Sequence, residues 1–202
     1  MIICECAQRS DEWFRLKAGV VGASSLSKII TTKGEPSKQR TDYMYELAGE
    51  KIIGRCEETY TSFAMEQGIA KEDEARSLYE LITGIEVQRV GFIFRDESRS
   101  CGCSPDGLFN PSGIEIKCPM LKTHVKYLLD SKLPTDYFAQ VHGSMWVCGA
   151  ESWTFMSYVP AMPPLILTID RDYKFTRALD QVMADFVGKL NEVHKKLLER
   201  VA

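Results

Sequence analysis

The chain lacks any long hydrophobic run, since its 202 residues contain no apolar stretch of about 18 residues, the length that a membrane-spanning helix needs. It also lacks the apolar region of a secretory signal peptide, because charged residues interrupt its first positions. We therefore expect no membrane span and no export, and we place the protein in the cytoplasm. A chain of this length is expected to form a single domain.

A surplus of positive charge is absent as well, because 25 Lys and Arg residues are outnumbered by 28 Asp and Glu residues and the formal net charge is −3. This balance excludes a surface that attracts nucleic acid everywhere, so any contact with DNA has to be local. The segment from Lys28 to Arg40 contains four cations around Gly34 and Pro36. It is a candidate for such a contact, although a merely solvated loop has the same composition.

A disulfide framework is the third missing feature. The chain has seven cysteines, an odd number, which argues against such a framework in a protein of this size. Two Cys-x-Cys pairs occur, Cys4 with Cys6 and Cys101 with Cys103, but no second pair or histidine lies at zinc-finger spacing. We predict reduced thiols that pack in the interior rather than a structural zinc site.

Helical periodicity predicts three helices in the first third of the chain, at about 26–30, 39–53 and 63–82. The first follows Ser24 and Ser25, either of which can cap it. The third carries four apolar residues at i, i+3, i+4 and i+7, which form one buried stripe. These four are Ala75, Leu78, Tyr79 and Ile82.

The middle of the chain changes to extended periodicity and contains five candidate strands. They are Val90–Phe94, Gly107–Phe109, Ile114–Cys118, Trp153–Val159 and Leu165–Ile169. A helix at about 134–148 is predicted between the third and fourth strands, and a long helix at about 173–198 closes the chain. We predict an α/β fold in one domain, with a helical part at about 1–84, a sheet core at about 88–170 and a C-terminal helix at about 172–200.

The stretch around Asp106, Glu115 and Lys117 contains the most informative chemistry. Side chains two residues apart in a strand point the same way, so Glu115 and Lys117 share a face. Asp106 precedes a turn-forming segment at 110–113, and a hairpin would return it beside Glu115. Two carboxylates and one ammonium group would then converge.

This convergence suits metal-dependent cleavage of a phosphodiester, because Mg²⁺ prefers oxygen ligands and keeps positions for water and phosphate. Asp106, Glu115 and the backbone carbonyl of Ile116 are the candidate ligands. Lys117 is the candidate for handling the attacking water, either as a base with a lowered pKa or as a charged group that orients the water. The pattern alone is equally compatible with a hairpin that carries a surface Asp and a cross-strand Glu–Lys pair.

Further sequence blocks decide between these interpretations. Ser104-Pro-Asp-Gly107, followed by Glu115-Ile-Lys-Cys-Pro119, resembles the lambda-type exonuclease and YqaJ-like viral recombinase family. This family belongs to the PD-(D/E)xK nuclease superfamily. Three other blocks resemble the same family and appear in its order. They are Trp13…Gly19-Val-Val-Gly-Ala-Ser24, Gln67-Gly68…Glu72-Asp-Glu-Ala-Arg76 and Ala139-Gln140-Val141…Ser144-Met-Trp-Val147. The resemblance covers about residues 9 to 160 and implies a restriction-endonuclease-like core, a mixed central sheet flanked by helices.

The resemblance also implies roles for individual residues. Asp106, Glu115 and the Ile116 carbonyl would bind Mg²⁺, with Mn²⁺ as a substitute and two ions per site, and Lys117 would handle the water. Glu72 would be a supporting carboxylate, although periodicity alone does not distinguish it from Glu74. In the same comparison, Gln140 would lie near the scissile phosphate.

A pocket for the DNA 5′-phosphate is implied near the N-terminus, formed by Lys17, Arg15 and Ser24. The family pattern Trp-x-x-x-Arg-x-Gly has Lys17 in place of its arginine here. Lysine keeps the charge but loses the two parallel donors of a guanidinium. Recognition of the end is therefore expected to depend on all three side chains together.

The family further implies a 5′ to 3′ exonuclease that degrades one strand of linear double-stranded DNA for recombination. It implies a ring-shaped homotrimer that works with a single-strand annealing protein. Three alternatives stay open: an endonuclease with the same site, a DNA-end-binding factor without activity, and an iron–sulfur nuclease. The last is disfavoured because no cysteine follows Cys148. His124 and His142 are assigned no catalytic role.

Overall fold

The computed structural model describes residues 1–56 and 63–201, with side chains described except at 63–67, 69 and 201. The described part contains eight strands, six α-helices and one 3₁₀ helix. In chain order these are β1 (Ile2–Cys4), α1 (Asp11–Leu16), β2 (Val21–Gly22), the 3₁₀ helix (Ala23–Lys28), α2 (Arg40–Ile53), α3 (Phe63–Thr83), β3 (Phe92–Phe94), β4 (Cys101–Cys103), β5 (Gly107–Phe109), β6 (Ser112–Lys117), α4 (Leu121–Asp130), α5 (Thr135–Cys148), β7 (Ser152–Ser157), β8 (Leu165–Asp170) and α6 (Tyr173–Val201).

The strands form two mixed sheets of four strands each. In the first sheet the order is β1-β3-β4-β2, with only the β2–β4 pair parallel. In the second the order is β5-β6-β7-β8, with β6 and β7 parallel and the two outer pairs antiparallel. The α/β class predicted from sequence is confirmed, and the division of its strands into two sheets is a feature that the sequence did not reveal.

The second sheet is covered by a helix on each face. Strand β6 places Ile114 and Ile116 against Ala75 and Tyr79 of α3. On the other face, Phe155 of β7 packs with residues of α5. Burying an isoleucine stabilises the fold by about 1.5–3 kcal/mol, so a one-residue slip of β6 that exposed both is strongly disfavoured.

The largest core cluster joins the first sheet to α2, α5 and α6. An apolar stripe of α6 is buried from the first turn to the middle of the helix, at Phe175, Leu179, Met183 and Phe186. Phe186 stacks on Tyr43 of α2 at 6.2 Å between ring centroids. This stripe has the helical spacing that predicted the C-terminal helix. Among the described residues, no helix is long and apolar enough to span a membrane.

Most predicted elements are confirmed within a few residues, including the helix at 63–82, the strand Gly107–Phe109 and the helix that ends before Gly149. One prediction is wrong in type, because the helix expected at Leu26–Ile30 is a 3₁₀ helix at Ala23–Lys28. The amide of Ile29 donates to the Leu26 carbonyl, and Ile30 forms an isolated bridge with Pro36. The 3₁₀ helix is therefore tightly wound, and after it Ile30 pairs with the following loop.

Candidate active site

The β5–β6 hairpin places Asp106 beside the middle of β6. Gly107 lies opposite Ile114 in this antiparallel pair. The amide of Asp106 donates to the Ile114 carbonyl at 3.2 Å, and its Oδ2 accepts from the Ile116 amide at 2.6 Å. The predicted hairpin is confirmed, and Asp106 lies immediately before the first residue of β5, Gly107.

Glu115 and Lys117 share one face of β6 and form an ion pair through Glu115 Oε1. Gln140 of α5 donates from Nε2 to the same oxygen at 2.5 Å. Glu115 is only 2% exposed, so its carboxylate is held in a fixed position by a strand neighbour and by a helix. We call Asp106, Glu115, Lys117 and Gln140 the carboxylate cluster.

Glu72 of α3 lies close enough to this cluster to share its electrostatics. Burial raises the pKa of Glu72 and the Glu115 carboxylate adds to the effect, while Lys117 opposes it. The neighbouring Glu74 instead accepts a hydrogen bond from Tyr158 at 2.5 Å. The structure therefore distinguishes the two glutamates that periodicity could not, and it places Glu72 beside the cluster.

The pKa of Asp106 is raised well above its usual range, first by burial and then by the charges of Glu115 and Glu72. Burial lowers the pKa of Lys117, but Glu115 and Asp106 outweigh it and the pKa lies above that of an ordinary lysine. Lys117 is thus an ammonium ion that faces the acidic side chains of Asp106, Glu115 and Glu72. The raised pKa values of Asp106 and Glu72 mean that their charged forms are destabilised here, a condition that a bound cation relieves.

The chemistry of the donors fits a magnesium ion. Successive residues of a strand direct their main-chain groups to alternate sides, so the Ile116 carbonyl faces the same edge as its amide, towards Asp106. Two carboxylates and a carbonyl form a hard oxygen set of the kind that Mg²⁺ uses together with water. Within the described residues, no group of three His, Cys, Asp or Glu side chains forms a metal site by itself.

Open space lies beside Asp106. A cavity of about 560 Å³ is lined by Asp106, Glu72 and Arg76, together with the segment around Gln8 and the loop around Val90. Of the four residues of the carboxylate cluster, Asp106 lines this cavity, so the cavity meets the cluster at Asp106.

The residues implied in a 5′-phosphate pocket are placed separately, near the N-terminus. Lys17 and Ser24 line a cavity of about 160 Å³, which we call the Lys17 cavity. The Lys17 ammonium lies 3.5 Å from the centroid of the Trp13 ring. Burial lowers the pKa of Lys17, although Cys56 and Glu50 oppose this effect. Arg15 is exposed on α1, outside the residues that line this cavity.

Two residues that the sequence analysis did not single out also belong to the site. The Tyr137 ring lies 5.1 Å from the Lys117 ammonium, and Arg76 donates from Nε to the Asp106 carbonyl at 3.0 Å. Tyr137 precedes Gln140 by three residues and Arg76 follows Glu72 by four, so each lies on the same helical face as its neighbour. That spacing was the available signal.

The histidines and the basic segment have structural contacts. His124 bonds Ser157 at 2.8 Å and the Pro163 carbonyl at 3.0 Å, and His142 accepts the Asp172 amide at 3.3 Å. In the basic segment, Lys28 pairs with Glu46 and Arg40 pairs with Asp185. Lys33 and Lys38 are exposed. The side chain of Gln67 lies outside the described part of the chain.

Comparison with known proteins agrees with this arrangement. An alkaline exonuclease from Laribacter hongkongensis, LHK-Exo, is 29% identical with a TM-score of 0.85, and the match covers 95% of this chain and 98% of that one. Its complex with dAMP matches equally well, at a TM-score of 0.85. A phage related exonuclease from Haemophilus somnus 129PT is 17% identical with a TM-score of 0.66 over 91% of this chain and 96% of that one, a likeness of fold.

Relatives in sequence point the same way. The Escherichia coli (strain K12) protein ExoD is 36% identical over 63 residues, which are 30% of this chain and 72% of that protein. The profile of the YqaJ-like viral recombinase domain matches residues 12–151, a range that includes both the carboxylate cluster and the Lys17 cavity. The chain therefore belongs to the YqaJ-like viral recombinase family.

Proposed function

We propose that this protein is a metal-dependent exonuclease that degrades one strand of linear double-stranded DNA from its 5′ end and leaves single-stranded DNA for recombination. The observation that carries the proposal is the contact of Glu115 with both Lys117 and Gln140, beside Asp106. The similarity of the whole chain to an alkaline exonuclease supports it.

Asp106, Glu115 and the Ile116 carbonyl would hold Mg²⁺, or Mn²⁺ in its place, with two ions per site. A metal ion held by these residues would supply Lewis acidity, which would polarise the scissile phosphate and lower the pKa of water so that it loses a proton more easily. Lys117, as an ammonium ion, orients the water and stabilises the charge that develops on the phosphate. Gln140 fixes the Glu115 carboxylate by its hydrogen bond, and Glu72 adds negative charge that favours cation binding.

The Lys17 cavity would bind the terminal 5′-phosphate, with the Lys17 ammonium and the Ser24 hydroxyl as donors and Arg15 as a more distant cation. This cavity shares no lining residue with the cavity beside Asp106, and we expect it to select the end while the cluster cuts. The protein would act on DNA ends in the cytoplasm as a homotrimeric ring and would pass its single-stranded product to an annealing protein.

The decisive experiment uses linear duplex labelled at the 5′ end or at the 3′ end, beside a closed circle, with Mg²⁺. We expect release of labelled mononucleotide from the 5′ end first, slow release of the 3′ label, and an intact circle. Cutting of the circle would show an endonuclease. Binding of ends without any release of label, with Mg²⁺ or Mn²⁺, would show a factor without nuclease activity.

A further inference from the structure

Arg76 of α3 is a buried arginine that, among the described residues, donates hydrogen bonds to two residues near the site. It is 8% exposed. Its Nε donates to the Asp106 carbonyl at 3.0 Å, and Nη1 donates to Asp73 Oδ1 at 2.7 Å. Burying a guanidinium is costly unless its donors are paired, so a side chain in this position is held by the geometry of its acceptors.

Arg76 contacts Asp106 from helix α3, whereas the other hydrogen bonds of Asp106 are with strand β6. The Asp106 amide and carboxylate both bond β6, through Ile114 and Ile116. Arg76 adds a third contact from the helix that carries Glu72, which lies one turn earlier on the same helical face. Arg76 therefore fixes the distance between helix α3, which carries Glu72, and the main chain of Asp106.

Asp73 orients the guanidinium for this contact. Its Oδ1 pairs with Arg76 and also with Arg89, in each case at 2.7 Å. Arg89 is 65% exposed on its side chain, whereas that of Arg76 is 10% exposed. The planar guanidinium can satisfy Asp73 and the Asp106 carbonyl together because its donors form a rigid fork, which a lysine lacks.

We propose that Arg76 is a positioning residue for divalent metal binding: by holding the Asp106 main chain against α3, it keeps the Asp106 carboxylate in place to bind the ion. This inference rests on the proposed function, since it assigns Asp106 as a ligand. Residues that orient metal ligands in this way typically change metal affinity or activity by about 10–100-fold when they are removed.

The test compares Arg76→Met with Arg76→Lys in the full chain. Methionine keeps the apolar length but removes both hydrogen bonds, and lysine can make one of them. Mn²⁺ binding to the DNA-free protein is measured by calorimetry well below the unfolding temperature, together with the Mg²⁺ concentration that gives half-maximal cleavage. We expect affinity to fall about 10–100-fold in Arg76→Met and less in Arg76→Lys.

Arg89→Gln is the matched control, because it removes the other partner of Asp73 and leaves the Arg76 contact with Asp106. Its metal affinity should stay within about threefold of wild type. A purely structural role for Arg76 would lower the thermal midpoint without changing the affinity of the folded protein. Unchanged affinity in folded Arg76→Met, or an equal loss in Arg89→Gln, would overturn the inference.

Arg76→Lys decides the matter where Arg76→Met does not fold, since full affinity in the lysine variant would show that the double contact has no role in metal binding. Failure of the inference is distinguishable from failure of the proposed function. A wild-type protein that binds Mn²⁺ and cuts DNA, with an Arg76→Met variant that binds equally well, refutes the inference alone. A wild-type protein that binds no divalent ion refutes both.

Discussion

The carboxylate cluster and the Lys17 cavity differ in how their side chains are held. In the cluster, Glu115 accepts hydrogen bonds from two elements, and Asp106 is fixed by a strand hairpin. In the cavity, Lys17 lies at the end of a six-residue helix and stacks on Trp13, and Ser24 belongs to a 3₁₀ helix. The candidate residues of the cluster lie on paired strands and a long helix, whereas Lys17 and Ser24 lie on short irregular elements that face α2 across the cavity.

This difference corresponds to what each site has to do. Hydrolysis needs its groups within a fraction of an ångström of the reacting atoms, and rigid elements supply that precision. Recognition of a terminal phosphate depends mainly on charge and donors, and it tolerates looser placement. We therefore expect substitutions in the cluster to abolish or greatly slow cleavage, and substitutions in the cavity to change which end is chosen.

The largest effect is expected for Asp106→Asn and Glu115→Gln. Each keeps the shape of the side chain but removes a charged metal ligand, and loss of several kcal/mol of transition-state stabilisation corresponds to at least about a thousandfold in rate. Binding of DNA ends should change by less than about threefold, because the cavity is untouched. Initial rates and end binding are measured at saturating Mg²⁺.

Glu74→Gln is the matched control for this pair, because Glu74 lies on α3 next to Glu72 but bonds Tyr158. Its cleavage rate should remain within about threefold of wild type. A rate within tenfold of wild type in either Asp106→Asn or Glu115→Gln would remove that residue from the catalytic centre and would break the contrast between the two sites.

A smaller loss is expected for Lys117→Ala, about 10²–10⁴-fold in rate, because it removes the group that orients the water and keeps both carboxylates. Mn²⁺ affinity should not fall, since a positive charge beside the ligands is removed. Calorimetry and single-turnover rates measure the two quantities. Loss of metal binding with activity restored at high Mg²⁺ would instead show that Lys117 supports the ligand geometry.

The cluster could be predicted from sequence to the extent that strand geometry determines it. Alternation placed Glu115 and Lys117 on one face, and turn-forming residues indicated the hairpin that brings Asp106 near. Gln140 and Glu72 were selected by resemblance, because their proximity depends on how two distant helices pack. Arg76 was missed for the same reason, since the Asp106 carbonyl that it binds is 30 residues away.

The missed elements of the fold have physical causes as well. Strands β1, β2 and β4 contain two or three residues each, too few to display alternation. Helix α4 has no side-chain cap at its start, and its apolar residues at helical spacing, Leu121, Val125 and Leu129, are exposed, whereas His124 is its buried residue. The separation into two sheets depends on long-range pairing, such as that of Val21 with Cys101, and the 3₁₀ helix is followed by a local bridge between Ile30 and Pro36.

In the cavity, Lys17→Ala should reduce the preference for a 5′-phosphate over a 5′-hydroxyl end by about 10- to 150-fold, because a charge-assisted hydrogen bond contributes about 1.5–3 kcal/mol. Cutting of an engaged end should be unaffected. Initial rates on matched duplexes measure the preference at two salt concentrations, and higher salt should weaken it.

Arg15→Ala is the matched comparison for Lys17→Ala, since Arg15 carries the same charge on the same helix but lies outside the cavity. It should change the preference by less than about threefold. Equal losses in the two variants would show that end recognition depends on the charge of α1 as a whole. Equal rates on both ends in the wild-type protein would remove the pocket altogether.

The smallest expected effect is the change of the 5′-phosphate preference with pH, which tests the Lys17 cavity independently of the carboxylate cluster. Burial lowers the pKa of Lys17, so this amine loses its proton at a lower pH than an exposed lysine does. The terminal phosphate is fully charged above about pH 7, since its second pKa is about 6. The preference for 5′-phosphate should therefore fall as pH rises towards the alkaline range. Because the preference is the ratio of the rates on 5′-phosphate and 5′-hydroxyl duplexes, any pH dependence of the cleavage step that both share cancels. Lys17→Arg should keep the preference over the same range, because a guanidinium stays protonated. A wild-type ratio that stays as constant as the Lys17→Arg ratio at pH values above the pKa of an ordinary lysine, about 10.4, would show that Lys17 does not bind the phosphate as its ammonium ion.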